Sequence, residues 1–313
     1  MLPSGHHHRL VGSAMAAGLV AGVVGLGAVT PGPLPALASG PAPMSVVTAE
    51  NFWGSLAAQL GGSRVRVVSV VSDPNADPHE YETNARDARL VAGARLVIVN
   101  GAGYDTWADR LLQAQPARGR RVLSVARLLG KAPGANPHFW YDPSDVARVV
   151  AKVSAEYRAL EPAQRGYFAA QERRLADALR PYRERLASIG RRFRGVAIAS
   201  TESVFAYLAR SLKLDLVTPA AFMEATSEGV DPPVSTITTF EEQLRRHSFR
   251  VLVYNVQTET PLTTALRKGA RAAGIPVVGI SETIQPPRAT FEQWMDAELD
   301  RLEAALAAGA RGR

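Results

Sequence analysis

The stretch Ala85-Arg86-Asp87-Ala88-Arg89-Leu90-Val91-Ala92-Gly93-Ala94-Arg95-Leu96-Val97-Ile98-Val99-Asn100-Gly101-Ala102-Gly103 decides the fold class. Ala85 to Ala92 is composed mainly of good helix formers, and Gly93 punctuates that pattern. Leu96 to Val99 is an unbroken apolar run, too short for a helix and bounded by a glycine-rich loop. A strand without polar alternation is covered on both faces, as the strands of a parallel sheet are. The same order recurs outward. Ser45 to Thr48 reads as a strand, followed by a helix through Leu56 and Leu60 that Gly61-Gly62 ends, and then by the β-branched run Arg64 to Val71. Another helix begins near Asp105. In the second half Val196 to Ala199, Asp215 to Val217, Val251 to Tyr254 and Val277 to Ile280 read as buried strands separated by helical patterns. Alternation of this kind predicts an α/β fold with parallel-type sheets.

Residues 144 to 194 carry no strand-like run but a nearly continuous helical period, interrupted at Glu161-Pro162 and at Pro181. Pro162 suits a first helical position, whereas Pro181 predicts a kink. The expected organisation is therefore an export segment over 1–38, an α/β lobe over 39–150, a linking helical segment over 151–194 and a second α/β lobe over 195–313. The first 38 residues run from His6-His7-His8-Arg9 through apolar and small residues (Leu10 to Val29) to Ala36-Leu37-Ala38. That is the order of a signal peptide with an A-x-A cleavage site, although a run of about twenty apolar residues also has the length of a retained membrane anchor. Either reading puts the rest of the chain outside the cytoplasm.

The 313 residues include no cysteine, which excludes disulfides, thiolate metal sites, thiol catalysis and a lipid-modified cysteine. The formal charge of +7 is concentrated: ten arginines between Arg158 and Arg194 face only Glu161, Glu172, Asp177 and Glu184. Their helical spacing reads as a solvated helix face. No aromatic platform or reader motif accompanies them, which argues against nucleic acid as a partner.

Without cysteine, metal or acid–base chemistry falls to His, Asp and Glu. Beyond the export segment the histidines are His79, His138 and His247. His79 and His138 lie in proline-flanked segments, Asp77-Pro78-His79-Glu80 and Asn136-Pro137-His138-Phe139, in loops where α/β folds gather ligands. A lone loop histidine is usually structural, but a matched pair points to shared chemistry. His247 follows Arg245-Arg246 at a helix end and reads as a C-terminal cap. Glu202 and Glu282 follow the strands ending at Ala199 and Ile280, where each could serve simply as a helix-start cap. The four residues stand 59, 64 and 80 positions apart, so they meet only if the cleft between the lobes brings them together. Asn100-Gly101-Ala102-Gly103 has the start of a dinucleotide loop but lacks its third glycine.

Five segments together carry a family resemblance: Val46-Val47-Thr48-Ala49-Glu50-Asn51-Phe52-Trp53, Asp77-Pro78-His79-Glu80-Tyr81-Glu82, Asn100 to Trp107, Asn136-Pro137-His138-Phe139-Trp140, and Ser281-Glu282-Thr283. Over residues 45 to 308 the chain resembles the metal-specific solute-binding proteins of ABC importers, which carry zinc, manganese or iron to a membrane permease. The resemblance implies two α/β lobes joined by one long linking helix and a single metal ion in the inter-lobe cleft. It also implies a non-enzymatic protein, monomeric, whose partners are a permease and its cytoplasmic ATPase. His79 and His138 match the two histidine ligands of the first lobe. Glu202 matches the third ligand, and Glu282 the fourth, which is most often Asp in the family.

Two imidazoles and two carboxylates form a mixed nitrogen and oxygen set. Carboxylates binding through both oxygens suit Mn²⁺ or Fe²⁺, whereas Zn²⁺ prefers four ligands and outranks manganese in intrinsic affinity. Residues 105 to 135 lack the histidine-rich loop of many zinc-binding relatives. Two alternatives make different structural demands. A metal-dependent hydrolase needs a substrate pocket reaching the ion, and a cell-surface adhesin needs a large exposed apolar patch.

Overall fold

The computed structural model describes residues 42–76, 78–79 and 81–309; the expected export segment over 1–38 lies outside them. From Ala42 onward the chain forms one compact unit. In chain order its elements are β1 (Met44–Glu50), α1 (Asn51–Gly61), β2 (Val65–Val71), α2 (Ala85–Ala92), β3 (Leu96–Val99), α3 (Thr106–Ala114), β4 (Arg121–Ser124), α4 (Val125–Leu129), α5 (Pro143–Leu160), α6 (Arg165–Ala178) and α7 (Arg180–Arg192). They continue with β5 (Ala197–Ser200), α8 (Ala206–Ser211), β6 (Asp215–Leu216), α9 (Ala220–Ser227), α10 (Val234–Arg245), β7 (Leu252–Asn255), α11 (Pro261–Ala272), β8 (Val277–Ile280) and α12 (Phe291–Ala308). Among the described residues no helix is long and apolar enough to cross a membrane.

There are two four-stranded sheets, ordered β2-β1-β3-β4 and β6-β5-β7-β8, and every pairing is parallel. Val47 registers with Val68 on one side and Val97 on the other, and Ala199 registers with Leu252. This is the two-sheet α/β architecture expected from the alternating pattern. β4 is the strand that the pattern does not reveal. It lies at the edge of the first sheet with Arg121 and Val122 exposed, so it lacks the doubly buried apolar run of β3.

The linking segment is divided where its prolines stand. Pro143 opens α5 beneath an Asp142 side chain that caps the Ser144 N–H, and Pro162 opens a 3₁₀ turn. At Pro181 the helical path bends rather than ends: the Leu179 N–H still reaches Leu175 O at 2.9 Å and the Arg183 N–H reaches Leu179 O at 3.1 Å. α6 packs against α1 and α5, and α7 against α12, so the bent pair passes from one sheet's helices to the other's. The basic face is only partly a solvated one. Arg185 pairs with Asp300 and Glu303 of α12, and Arg192 also reaches Glu303.

Behind the sheets runs one apolar core, containing Phe52 and Trp53 of α1 together with Phe291 and Trp294 of α12. Its link is the fully buried 3₁₀ turn Phe139–Tyr141. Trp140 stacks on Phe52 with ring centroids 3.9 Å apart, while Tyr141 packs against Trp294 and donates a hydrogen bond to Ser281 O at 2.8 Å. One short turn thus reaches into both halves.

Glu298 on α12 is fully buried beside this turn. It accepts hydrogen bonds from the Ser281 N–H (3.1 Å) and Trp294 Nε1 (3.1 Å), and Ser281 Oγ (3.2 Å) and Tyr141 Oη (3.1 Å) lie within hydrogen-bonding distance. Burial pushes its carboxyl up to about 7 against the pull of Arg301 and these donors. The folded protein therefore holds the proton more tightly than the unfolded chain, and stability is lost as pH rises from about 4 through about 7. Glu298→Gln removes that titration. Urea unfolding of metal-free protein should show the variant gaining roughly 2–4 kcal/mol on wild type between pH 4 and pH 8; a difference that does not change with pH contradicts the assignment.

Candidate metal centre

The strand order reverses direction between β1 and β3 in one sheet and between β5 and β7 in the other. Such switch points open a crevice at the carboxyl ends of parallel strands. The strand exits are shaped by hydroxyls that bond a carbonyl two residues on: Thr48 Oγ1 to Glu50 O, Ser200 Oγ to Glu202 O, and Ser281 Oγ to Thr283 O. These local turns take the chain out of extended pairing at each exit. Glu202 and Glu282 are delivered by two of them.

His138 is fully buried. Asn100 Nδ2 holds Pro137 O at 2.9 Å, and the Asn100 side chain is itself oriented by Trp53 Nε1 at 3.0 Å. Asn136 then sets the ring. Its Nδ2 donates to Ser203 O at 2.8 Å, so Oδ1 faces back and accepts from the His138 N–H (3.1 Å) and lies 2.7 Å from Nδ1. Nδ1 must carry the hydrogen, which makes Nε2 a lone-pair donor. Burial also holds this imidazole below its ordinary range, favouring the neutral form that binds metals. His138 Nε2 is buried without a hydrogen-bond partner.

His79 follows β2, its side chain about a quarter exposed, with its ring 4.5 Å from that of Tyr104 in an edge contact. His79 Nε2 lies 3.5 Å from Glu282 Oε2, and His138 Nε2 lies 3.7 Å from the same oxygen. One ligand atom from each of His79, His138 and Glu282 lies within 4.8 Å of the others. Glu202 is not in that trio, but its Oε1 is 3.6 Å from His138 Nε2. All four candidate residues thus line one locus. His247 does not join it; it follows α10 in the left-handed region at φ 52°, where its N–H bonds Leu244 O at 3.1 Å. The capping alternative for the acids fails on geometry. Glu202 precedes the 3₁₀ turn Ser203–Phe205 without capping it through its side chain, and no helix begins directly after Glu282.

Burial by itself would raise the Glu282 carboxyl, but the adjacent His138 and His79 imidazoles outweigh it and hold the group well below the usual carboxylate range. Tyr104 Oη donates to Glu282 Oε2 at 2.6 Å. Asn255, at the end of β7, spans the two acids: Nδ2 is 2.8 Å from Glu202 Oε2 and 2.5 Å from Glu282 Oε1. Gln257 clasps the site from outside, its Oε1 accepting from the Glu282 N–H at 2.6 Å and its Nε2 donating to Ala76 O at 2.7 Å. These supporting residues escaped the sequence reading. Asn255 stands at a strand exit like Glu202 and Glu282, so the logic that found the acids would have found it had neutral amides been included.

Asp105 answers the dinucleotide question. Its carboxylate accepts from the Asn100 N–H (2.6 Å) and the Gly101 N–H (2.7 Å), occupying backbone donors that a phosphate would need. An open pocket of about 560 Å³ meets the locus at His79 and is walled by Tyr104, Asn136, Ser203, Glu224 and Glu228.

The family described as zinc-uptake complex component A, periplasmic, matches residues 46–305. The chain belongs to that family. It is similar to the iron-binding protein YfeA of Yersinia pestis, at 26% identity over 177 residues that make up 53% of this chain and 55% of that protein. Among solved structures it resembles FpvC of Pseudomonas aeruginosa in complex with Mn²⁺, with a TM-score of 0.69 at 20% identity over 85% of this chain and 98% of the other. It also resembles the periplasmic zinc-binding protein TroA of Treponema pallidum, with a TM-score of 0.68 at 18% identity over 84% and 99%. At these identities the structural likeness is one of fold. The zinc-uptake family match spans all four candidate residues.

In this zinc-uptake family member, Asn136 is expected to control the imidazole by itself. Nitrogen-15 NMR of metal-free protein should show His138 protonated at Nδ1 in the wild type and a mixture of tautomers in Asn136→Ala. Identical ring shifts in the two proteins would remove Asn136 from this role.

Proposed function

We propose that this protein captures one divalent transition-metal ion (Mn²⁺, Zn²⁺ or Fe²⁺) through His79, His138, Glu202 and Glu282, and delivers it to an ABC importer. The observation carrying this reading is the spacing of the imidazole and carboxylate donor atoms. Two ligands at about 2.1 Å from one metal, at the tetrahedral angle, lie about 3.4 Å apart. Three of the four imidazole–carboxylate pairs have such separations: His79 to Glu282 at 3.5 Å, His138 to Glu202 at 3.6 Å and His138 to Glu282 at 3.7 Å. Hydrogen bonds at those lengths are poor, whereas a cation placed between the groups meets imidazole nitrogens and carboxylate oxygens together. Family membership supports the same reading.

The ion is cargo rather than a catalyst. The pocket touches the four residues only at His79, while His138, Glu202 and Glu282 are buried to 1% exposure or less. A substrate in that pocket would reach one imidazole edge and neither carboxylate, which weighs against the hydrolase reading. The exposed rim acids Glu224 and Glu228 instead suit a route that attracts cations. Against the adhesin reading, the large exposed hydrophobics among the described residues are Val122, Val230 and Val234, too few for an extended apolar patch. In this reading the protein acts outside the cytoplasm as a monomer, released by cleavage after Ala38 or held by its N-terminal segment. Its partner is a permease driven by a cytoplasmic ATPase.

Elemental analysis of loaded protein and calorimetric competition between Mn²⁺ and Zn²⁺ test the function directly. One ion per chain is expected. His79→Ala and Glu282→Ala should each abolish tight binding while circular dichroism stays that of wild type. If both variants bind as wild type does, the ion is held elsewhere.

A further inference from the structure

The placement of Asn255 decides how many oxygens the two acids present. An amide nitrogen carries two hydrogens, and the two shortest contacts of Asn255 Nδ2 are Glu202 Oε2 at 2.8 Å and Glu282 Oε1 at 2.5 Å; Thr258 Oγ1 follows at 3.0 Å. The amide cannot turn over, because Asn255 Oδ1 accepts the Gln257 N–H at 3.0 Å. Each carboxylate is therefore divided. The oxygens held by Asn255 are different atoms from those facing the histidines, which are Glu202 Oε1, 3.6 Å from His138 Nε2, and Glu282 Oε2, 3.5 Å from His79 Nε2. Tyr104 Oη at 2.6 Å fixes Glu282 Oε2 in that direction.

We infer that Asn255 is a specificity-determining positioning residue: by holding one oxygen of Glu202 and one of Glu282, it restricts both to single-oxygen binding and makes the site four-coordinate. A set of two imidazole nitrogens and two carboxylate oxygens in that arrangement suits Zn²⁺. Mn²⁺ and Fe²⁺ favour six donors, whereas with each acid held to one oxygen the protein supplies four. The separations within the His79, His138 and Glu282 trio and from His138 to Glu202 agree, while Glu202 stands outside that trio and has to close on the ion. Bonds of about 2.1 Å at octahedral right angles bring neighbouring donors to about 3.0 Å, closer than the 3.5 to 3.7 Å found between the imidazoles and carboxylates here.

This inference rests on the proposed metal-capture function, and Co²⁺ as a probe separates the two. Tetrahedral Co²⁺ has intense visible bands, whereas five- and six-coordinate Co²⁺ has weak ones. The wild-type protein loaded with Co²⁺ should give the intense spectrum, and Asn255→Ala should weaken it. The variant should also lose at least about tenfold of the preference for Zn²⁺ over Mn²⁺. A merely structural role would weaken both metals alike and leave the ratio and the band intensity unchanged. Asn255→Ser, which keeps a small polar side chain but not two donors, makes the same comparison if the alanine protein fails to fold. Weak bands in the wild type, or a ratio unaltered in the folded variants, overturn the assignment to Asn255. A wild-type protein that binds none of Co²⁺, Zn²⁺, Mn²⁺ and Fe²⁺ overturns the capture function itself.

Discussion

The burial of Phe139-Trp140-Tyr141 between the two sheets is the constraint on which the site depends. These side chains are inaccessible to solvent, and they belong to both halves at once through Phe52 on one side and Trp294 and Ser281 on the other. Removing an aromatic side chain from such a position typically costs about 3–5 kcal/mol, a large share of a domain's net stability. His138 immediately precedes the turn, so the packing that joins the sheets also fixes the imidazole. The bent α6–α7 path and its contacts with α12 add a second connection behind the cleft. A shared core of this kind favours small local adjustments over a wide hinge opening.

Around the candidate metal centre, neutral groups do most of the orienting. Asn136 selects the tautomer of His138, Asn255 divides the two carboxylates, and Tyr104 aims Glu282. Uncharged amides and a phenol can hold ligands in place without neutralising the charge that attracts a cation. A lysine or arginine in the position of Asn255 would pair with the acids permanently and compete with the metal. Deeper in the first half, Glu50 and Asp105 are both buried. Burial, reinforced by their mutual repulsion, raises Glu50 well above its ordinary range, while Asp105 rises to about 6. Asp105 nevertheless organises the loop that carries Tyr104, by accepting the Asn100 and Gly101 N–H groups.

Much of this was legible residue by residue. Leu96 to Val99 and Val277 to Ile280 were readable because a strand buried on both faces leaves an uninterrupted apolar run. Pro181 marked the bend in the linking helices because it removes a backbone donor wherever it falls. β4 was not legible, since an edge strand beginning with an exposed Arg121 has no such signature. The pairing of Arg185 and Arg192 with α12 was equally invisible: charge at helical spacing looks the same whether it faces water or a neighbouring helix.

By itself, the sequence determined the alternation of strands and helices and the exclusion of thiolate chemistry, which follow from local periodicity and residue chemistry. It also nominated His79, His138, Glu202 and Glu282 as candidate ligands, through motifs shared with a family rather than through local pattern alone. Only the tertiary structure decided which oxygen of each acid faces the histidines, which nitrogen of His138 carries the lone pair, and that Glu298 buttresses the Ser281 exit. Those properties are set by hydrogen bonds between residues far apart in the chain, as between Asn255 and Glu202, 53 positions away, and no local pattern encodes a direction in space.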